Sequence, residues 1–262
     1  MIPRRYIIEW KKYSEWVSDY QVEQDLIISR VITEIFSDEI LSLNLAFRGG
    51  TALYKLYIKD HSRYSEDIDL VQINQEPITK IFDRLRKVLN YLGTPKTKQT
   101  VTNNTALFRF DSEYPPVINL RLKIEINTRE HFNVLGLKQI PFEVKSAWYK
   151  SKCNVSTYKL EELIGTKLRA IYQRSKGRDL YDIYKALISF DLNIGDVLKC
   201  HNKYMSYSAG KPPFKKNFLK NLELKMLDKE FRNDIKGLLK PAEGYNIDEA
   251  YKVSLDRLFS KM

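Results

Sequence analysis

Cysteine and histidine are scarce in this sequence. Its 262 residues hold two cysteines, Cys153 and Cys200, and three histidines, His61, His131 and His201. The cysteines have no metal-ligand spacing and the histidines form no H-x₃-H pair, so neither a zinc site nor a disulfide framework is expected. The two thiols should be free and buried. Long apolar runs are absent too. No stretch approaches the ~20 residues that a membrane span needs, and the opening Met1-Ile2-Pro3-Arg4-Arg5-Tyr6 lacks a secretory apolar region. A cytoplasmic protein is the expectation. Acid is short relative to base: 33 Asp and Glu against 44 Lys and Arg, a net charge of +11. That balance favours a polyanionic partner without saying which. It leans toward the C-terminal part, with 23 basic against 19 acidic residues in 1–158 and 21 against 14 in 159–262. Hydrophobic residues make up 43% and aromatics 12%, enough for a packed core and against disorder.

What the chain does have is concentrated between Phe47 and Ile73. Phe47-Arg48-Gly49-Gly50-Thr51-Ala52-Leu53 places two glycines between an apolar run, Leu45 to Phe47, and a helix-like run, Ala52 to Tyr57. Glycines there let backbone N–H groups approach an anion. Tyr64-Ser65-Glu66-Asp67-Ile68-Asp69-Leu70-Val71 follows, of strand character. Asp67 and Asp69, two apart, then point to the same face. Two carboxylates on one face repel unless a cation sits between them, and a hard divalent cation suits oxygen ligands. An Asp-x-Asp alone is usually a solvated strand end and a Gly-Gly alone a turn; the combination points to phosphoryl or nucleotidyl transfer.

The rest of the chain supplies context. Helices are expected over 4–16, 19–36 (capped by Ser18 or Asp19), 51–58 and from Pro77 onward, and strands over 43–47, 66–73, 97–103 and 105–111. Residues 117–127 alternate cleanly. Ile118, Leu120, Leu122, Ile124 and Ile126 face one way; Asn119, Arg121, Lys123, Glu125 and Asn127 face the other. This reads as a sheet covered on one side and open to a ligand on the other. Glu125 is the one acid on the polar face, a third carboxylate for Asp67 and Asp69 if the strands are neighbours, or else a partner for Lys123 or Arg121. Short strands are expected near 139–144 and 152–157. From Leu160 the texture turns helical, dividing the chain into 1–158 and 159–262. Asp179 and Asp182, three apart, share a helix face, where they serve either a site or the helix dipole. Further helices are expected near 194–206, 214–225, 228–239 and 247–260. Lys199, Lys203, Lys211, Lys215, Lys216 and Lys220 run without an intervening acid, with Tyr204, Tyr207 and Phe214 interleaved. The run is either a track for a nucleic-acid backbone or a solvated face.

Taken in order, Gly49-Gly50-Thr51-Ala52-Leu53, Tyr64 to Leu70, Leu160-Glu161-Glu162-Leu163-Ile164-Gly165-Thr166-Lys167-Leu168 and Arg174 to Asp182 resemble the nucleotidyltransferase-like toxins of the AbiEii/AbiGii group, which includes the MenT toxins. The resemblance covers about residues 44–190. It implies an α+β fold: a DNA-polymerase-β-type nucleotidyltransferase domain with a mixed sheet, then a C-terminal helical, basic domain. It implies a toxin of a toxin–antitoxin or phage-defence locus, with a cognate antitoxin as partner. It also implies transfer of a nucleoside monophosphate from an NTP to the 3′ end of tRNA, with Mg²⁺ as cofactor. By position, Asp67 and Asp69 would hold the metal; the strand reading adds Glu125 as a third metal carboxylate. Gly49, Gly50, Thr51 and Ser65 would line the triphosphate, and Lys167 would reach the phosphates. Asp179 would be the essential carboxylate of the Arg-Asp-Leu-Tyr-Asp motif. Arg174, Arg178, Lys211, Lys215, Lys216 and Lys220 are candidates for RNA contact. The Gly50-Thr51 pair stands where the wider superfamily has Gly-Ser, and the gap to the aspartates is longer than in simple members. Two other readings are a small-molecule, antibiotic-type nucleotidyltransferase and a non-catalytic RNA-binding module.

Overall fold

The computed structural model describes residues 2–100, 103–240 and 242–262. The chain divides into two compact units. The first is Met1–Asn133 with Leu137–Tyr158, the second Val134–Gly136 with Lys159–Met262. None of the helices among the described residues is long and apolar enough to cross a membrane.

The first unit is built on a seven-stranded mixed sheet. Its strands are β1 (Leu45–Arg48), β2 (Asp67–Gln72), β3 (Lys96–Gln99), β4 (Asn103–Asp111), β5 (Asn119–Asn127), β6 (Leu137–Lys145) and β7 (Lys150–Tyr158), in the order β3-β4-β5-β2-β1-β7-β6. The pair β1–β2 is antiparallel; β2–β5 and β1–β7 are parallel. Alternation fixes the register of β5. Leu122, Ile124 and Ile126 are fully buried on one face, so a slip of one residue would expose all three. Helices α1 (Arg4–Trp10), α2 (Asp19–Ser37) and α3 (Glu39–Asn44) precede the sheet. The α2 helix lies across β5, β6 and β7. Ser18 caps it in a reciprocal box with Gln21, and Val22, Leu26, Ile28, Val31, Ile32 and Ile35 are fully buried. Each such side chain contributes about 1.5–3 kcal/mol relative to exposure. Helix α4 (Gly49–Ala52) runs on as a π-helical stretch, Leu53–Ile58, and α5 spans Thr79–Val88.

Several expectations need correction. The first helix stops at Trp10 rather than 16. The next residues turn back, Tyr13 and Ser14 N–H donating to Trp10 O, and Trp16 packs edge-on against Tyr64. Leu43 is not in a strand but in α3, which Asp38 caps through the Leu41 N–H at 3.0 Å, and it is 66% exposed. Ile118 lies before β5 and is exposed. The hairpin strands β6 and β7 are nine residues each, longer than expected. Part of the strand expected over 97–103, Val101 and Thr102, lies outside the described residues. Cys153 is only half-buried, whereas Cys200 is buried; both are free.

The second unit is helical: α6 (Leu160–Gln173), α7 (Gly177–Ser189), α8 (Ile194–Ala209), α9 (Lys215–Leu227), α10 (Lys229–Asn233) and α11 (Ile247–Arg257). The helix expected over 228–239 is broken, α10 giving way to a single 3₁₀ turn at Lys236–Leu238. Glycine lets the helices close up: a Cβ on Gly165 would stand 2.6 Å from Cys200 Cβ, and one on Gly177 2.0 Å from Phe231 O. Glu162 is fully buried and accepts from Val134 N–H (2.8 Å), Leu135 N–H (2.9 Å) and Tyr204 OH (2.8 Å), which ties Val134–Gly136 to this unit.

Candidate active site

In the first unit the register carries the site. Asp69 of β2 stands opposite Glu125 of β5 on one side and Arg48 of β1 on the other, and Asp67 stands opposite Lys123. Asp67, Asp69, Lys123 and Glu125 therefore share one face at the middle of the sheet. The neighbouring strands that the Glu125 assignment requires are present. Lys123 Nζ lies 3.1 Å from Asp67 Oδ2 and 3.2 Å from Glu125 Oε2, bridging the two carboxylates. Asn103 Nδ2 donates to the other Glu125 oxygen at 2.8 Å. A cleft of about 330 Å³ opens beside them, lined by Glu66, Asp67, Asn119, Arg121 and Lys123. As the side chains stand, no three His, Cys, Asp or Glu groups among the described residues converge on a metal position. An ammonium lies between two of the carboxylates instead.

The glycines pack this site tightly. Gly49 has φ +82°, and a Cβ there would fall 2.2 Å from Asp69 Oδ2. Only glycine both adopts that backbone and leaves room for the carboxylate. A Cβ on Gly50 would fall 2.5 Å from Nη1 of the buried Arg63. Thr51 is 1% exposed; its hydroxyl meets Ser65 Oγ at 2.7 Å and donates to the Asp67 carbonyl. Thr51 and Ser65 thus join the start of α4 to the start of β2 and fix the backbone that carries Asp67. Arg48 is ion-paired with Glu130. Burial disfavours its charge, but Glu130, Tyr158 and Asp69 outweigh that and raise its pKa. Arg48, Lys123 and Glu130 were not among the expected site residues. Lys123 could have been, since it stands two before Glu125 on the same polar face.

In the second unit, Lys167 Nζ lies 3.1 Å from Asp179 Oδ1 and 2.6 Å from Asp182 Oδ2. Arg174 donates to both Asp179 oxygens, at 2.8 and 2.9 Å. Both aspartates are fully buried, and Lys167 is 7% exposed. Burial alone would raise the Asp179 pKa; Lys167 and Arg174 overcome it and hold the carboxyl at about 2. Asp179 and Asp182 thus anchor a buried ion cluster, more than an exposed helix face would give. Arg178 is held by Asp234 at 3.1 Å and Lys215 by the Ser260 carbonyl, while Lys211, Lys216 and Lys220 are exposed.

Structural comparison gives the class. Along 100% of its length the chain matches MenT4, the nucleotidyltransferase toxin Rv2826c from Mycobacterium tuberculosis H37Rv, with a TM-score of 0.66 at 13% identity, covering 91% of that chain. It also matches JHP933 from Helicobacter pylori, with a TM-score of 0.54 at 18% identity over 91% of this chain and 90% of that one. At such identities the likeness concerns the fold, which is that of the nucleotidyltransferase toxins. The sequence is more specific. Residues 30–257 match the family of the nucleotidyl transferase AbiEii toxin, type IV toxin–antitoxin system, and the chain belongs to that family. No curated protein matches it.

Proposed function

We propose that this protein is a toxin that transfers a nucleoside monophosphate from an NTP to the 3′ end of tRNA, and that a cognate antitoxin restrains it. The observation that supports this most is the register placing Asp69 beside Glu125 and Asp67 beside Lys123 on one open face. In such a transfer the 3′-hydroxyl oxygen bonds to the α-phosphorus, the bond to the β-phosphate breaks, and pyrophosphate leaves with the electron pair. Glu125 takes the hydroxyl proton. The donor set of hard carboxylate oxygens fits a divalent cation, and two of the three acids already share a cation in Lys123. Asp67, Asp69 and Glu125 would hold Mg²⁺, which when bound supplies charge for the α-phosphate and the attacking hydroxyl. With the carboxylates so occupied, Lys123 would be free for the cleft it already lines, where Arg121 adds a second positive charge. Gly49 and Gly50 keep the backbone close to the triphosphate, while Thr51 and Ser65 hold Asp67 in place. Family position alone assigns Lys167 and Asp179 a part in the reaction; within their own cluster the half-exposed Arg174 is open to solvent.

Incubation with each labelled nucleotide and total RNA tests this. Labelled tRNA that disappears in a folded Asp69→Ala variant is the expected outcome. A labelled small product would instead mean a small-molecule transferase, and no label with any of the four nucleotides would mean a binding module.

A further inference from the structure

Away from the carboxylates, two cavities of the first unit meet at Glu143. One, about 620 Å³, follows the β6–β7 hairpin and is lined by Glu9, Glu143, Lys145, Lys150 and Lys152. The other, about 300 Å³, is walled by Trp10, Tyr13, His61 and Phe142 above Ser29 and Lys55. Its floor is a polar network. Asp25, 2% exposed, accepts from Lys55 Nζ at 2.7 Å and from Trp10 Nε1 at 3.0 Å, and Lys55 also donates to Ser29 Oγ at 3.0 Å. An ammonium has three N–H groups; Asp25 and Ser29 take two of those of Lys55, which also lines the cavity. The hydrogen bond fixes the Trp10 ring, and Tyr13 packs on it with centroids 4.9 Å apart.

The wider cavity is lined by three lysines against two glutamates, a small excess of positive charge. Glu143 is engaged by Lys145 at 3.0 Å, and Glu9 accepts the Ala147 N–H at 3.2 Å. Lys150 and Lys152 are exposed and have no ion-pair partner among the described residues. Lys12 lies over the Tyr13 ring at 4.9 Å, and Lys59 lines the aromatic pocket. Aromatic walls beside unpaired lysines are the combination that holds single strands, the rings stacking on bases and the lysines following phosphates. An apolar protein side chain would have no use for the lysines. We propose that this groove holds a single-stranded segment of the RNA acceptor. An unpaired base enters the aromatic pocket against Tyr13 and Lys55, and neighbouring phosphates lie along Lys150 and Lys152. The proposal rests on RNA being the acceptor.

The test is titration of the full chain with a short, unstructured, fluorescent RNA oligonucleotide, read by anisotropy over a range of salt. Tyr13→Ala should weaken binding by about tenfold, the loss of one stacked base, and Tyr13→Phe should retain it. Lys150→Ala with Lys152→Ala should lower the salt slope by about 1–2. Thermal melts establish that the variants are folded. Asp69→Ala should leave this affinity unchanged while abolishing RNA labelling, so the two readings fail separately. RNA labelling together with wild-type affinity and slope in the folded groove variants overturns the groove. Groove-dependent binding without any RNA labelling by the wild type upholds the groove and overturns the transfer. A Tyr13→Ala protein that keeps RNA and loses the antitoxin reassigns the surface to a protein partner and overturns the proposal.

Discussion

Lys123→Met removes one charge from the candidate active site while keeping most of the side chain's length. The ammonium touches two carboxylates, at 3.1 and 3.2 Å, and the three side chains are 37%, 46% and 29% exposed. Ion pairs of that exposure contribute about 0.2–1 kcal/mol each. An arriving divalent cation must therefore offset about 0.4–2 kcal/mol before it gains its own contacts. Without Lys123, Mn²⁺ should bind about two- to thirtyfold more tightly, since 1.4 kcal/mol is a factor of ten. Mn²⁺ stands in for Mg²⁺ because its free form is counted directly by electron paramagnetic resonance. Cation-free, the variant should be less stable than wild type, since Asp67, Asp69 and Glu125 then repel one another. Its melting temperature should rise more on adding Mn²⁺ than that of the wild type. A folded Lys123→Met protein that binds Mn²⁺ no more tightly than wild type would refute the reasoning: the ammonium would then not be standing where the cation goes.

Three further outcomes are expected. Gly49→Ala should lose RNA labelling and about 1–2 kcal/mol of stability, the cost of a left-handed non-glycine residue, because the new Cβ also displaces the Asp69 carboxylate; wild-type labelling would contradict the close approach. Lys167→Met should cost about 3–5 kcal/mol in chemical denaturation, since it strips a cation from two fully buried carboxylates; a loss under about 1 kcal/mol, the exposed-pair range, would mean the cluster is solvated. Burial holds His201 down at about 4, with no partner for either ring nitrogen among the described residues, and holds Glu23 up at about 7. For His201 the unfolded chain takes up the proton first, so its contribution is lost as pH falls from 6.5 toward 4. For Glu23 the folded chain holds the proton, so its contribution is lost as pH rises from 4.5 toward 7. The two slopes, each up to about 1.4 kcal/mol per pH unit, oppose one another near pH 5.5. His201→Phe should therefore leave stability falling with pH there, and Glu23→Gln should leave it rising; identical profiles for the two variants would contradict both assignments.

The site strands were legible because their signal is local. Period-two alternation puts Asp67 with Asp69 and isolates Glu125, and a third carboxylate needed only the pairing of β2 with β5. That pairing itself is long-range and has no local mark. Nor does the bridge from Lys123 to Asp67, which joins residues far apart in sequence; only the nearer pair, Lys123 with Glu125, lies within one strand. In the helical half, Asp179 and Asp182 were recognisable as a same-face pair. Their complete burial was not, because it depends on Lys167 and Arg174 arriving from α6 and its end. Short elements carry the weakest signal: α3 is six residues long, is capped by Asp38 at the Leu41 N–H, and includes Leu43.

The Val134–Gly136 segment has a practical corollary for dissecting the molecule. It lies in the connection between β5 and β6, yet its amides satisfy Glu162 of α6. A fragment beginning at Lys159 would retain the buried carboxylate and leave behind the Val134 and Leu135 donors, a loss of about 1.5–3 kcal/mol for each hydrogen bond to a charged group. Expressing the halves separately therefore calls for a graft of those three residues, or for Glu162→Gln to remove the orphaned charge. A plain cut after Tyr158 would yield a helical piece whose instability says nothing about its role.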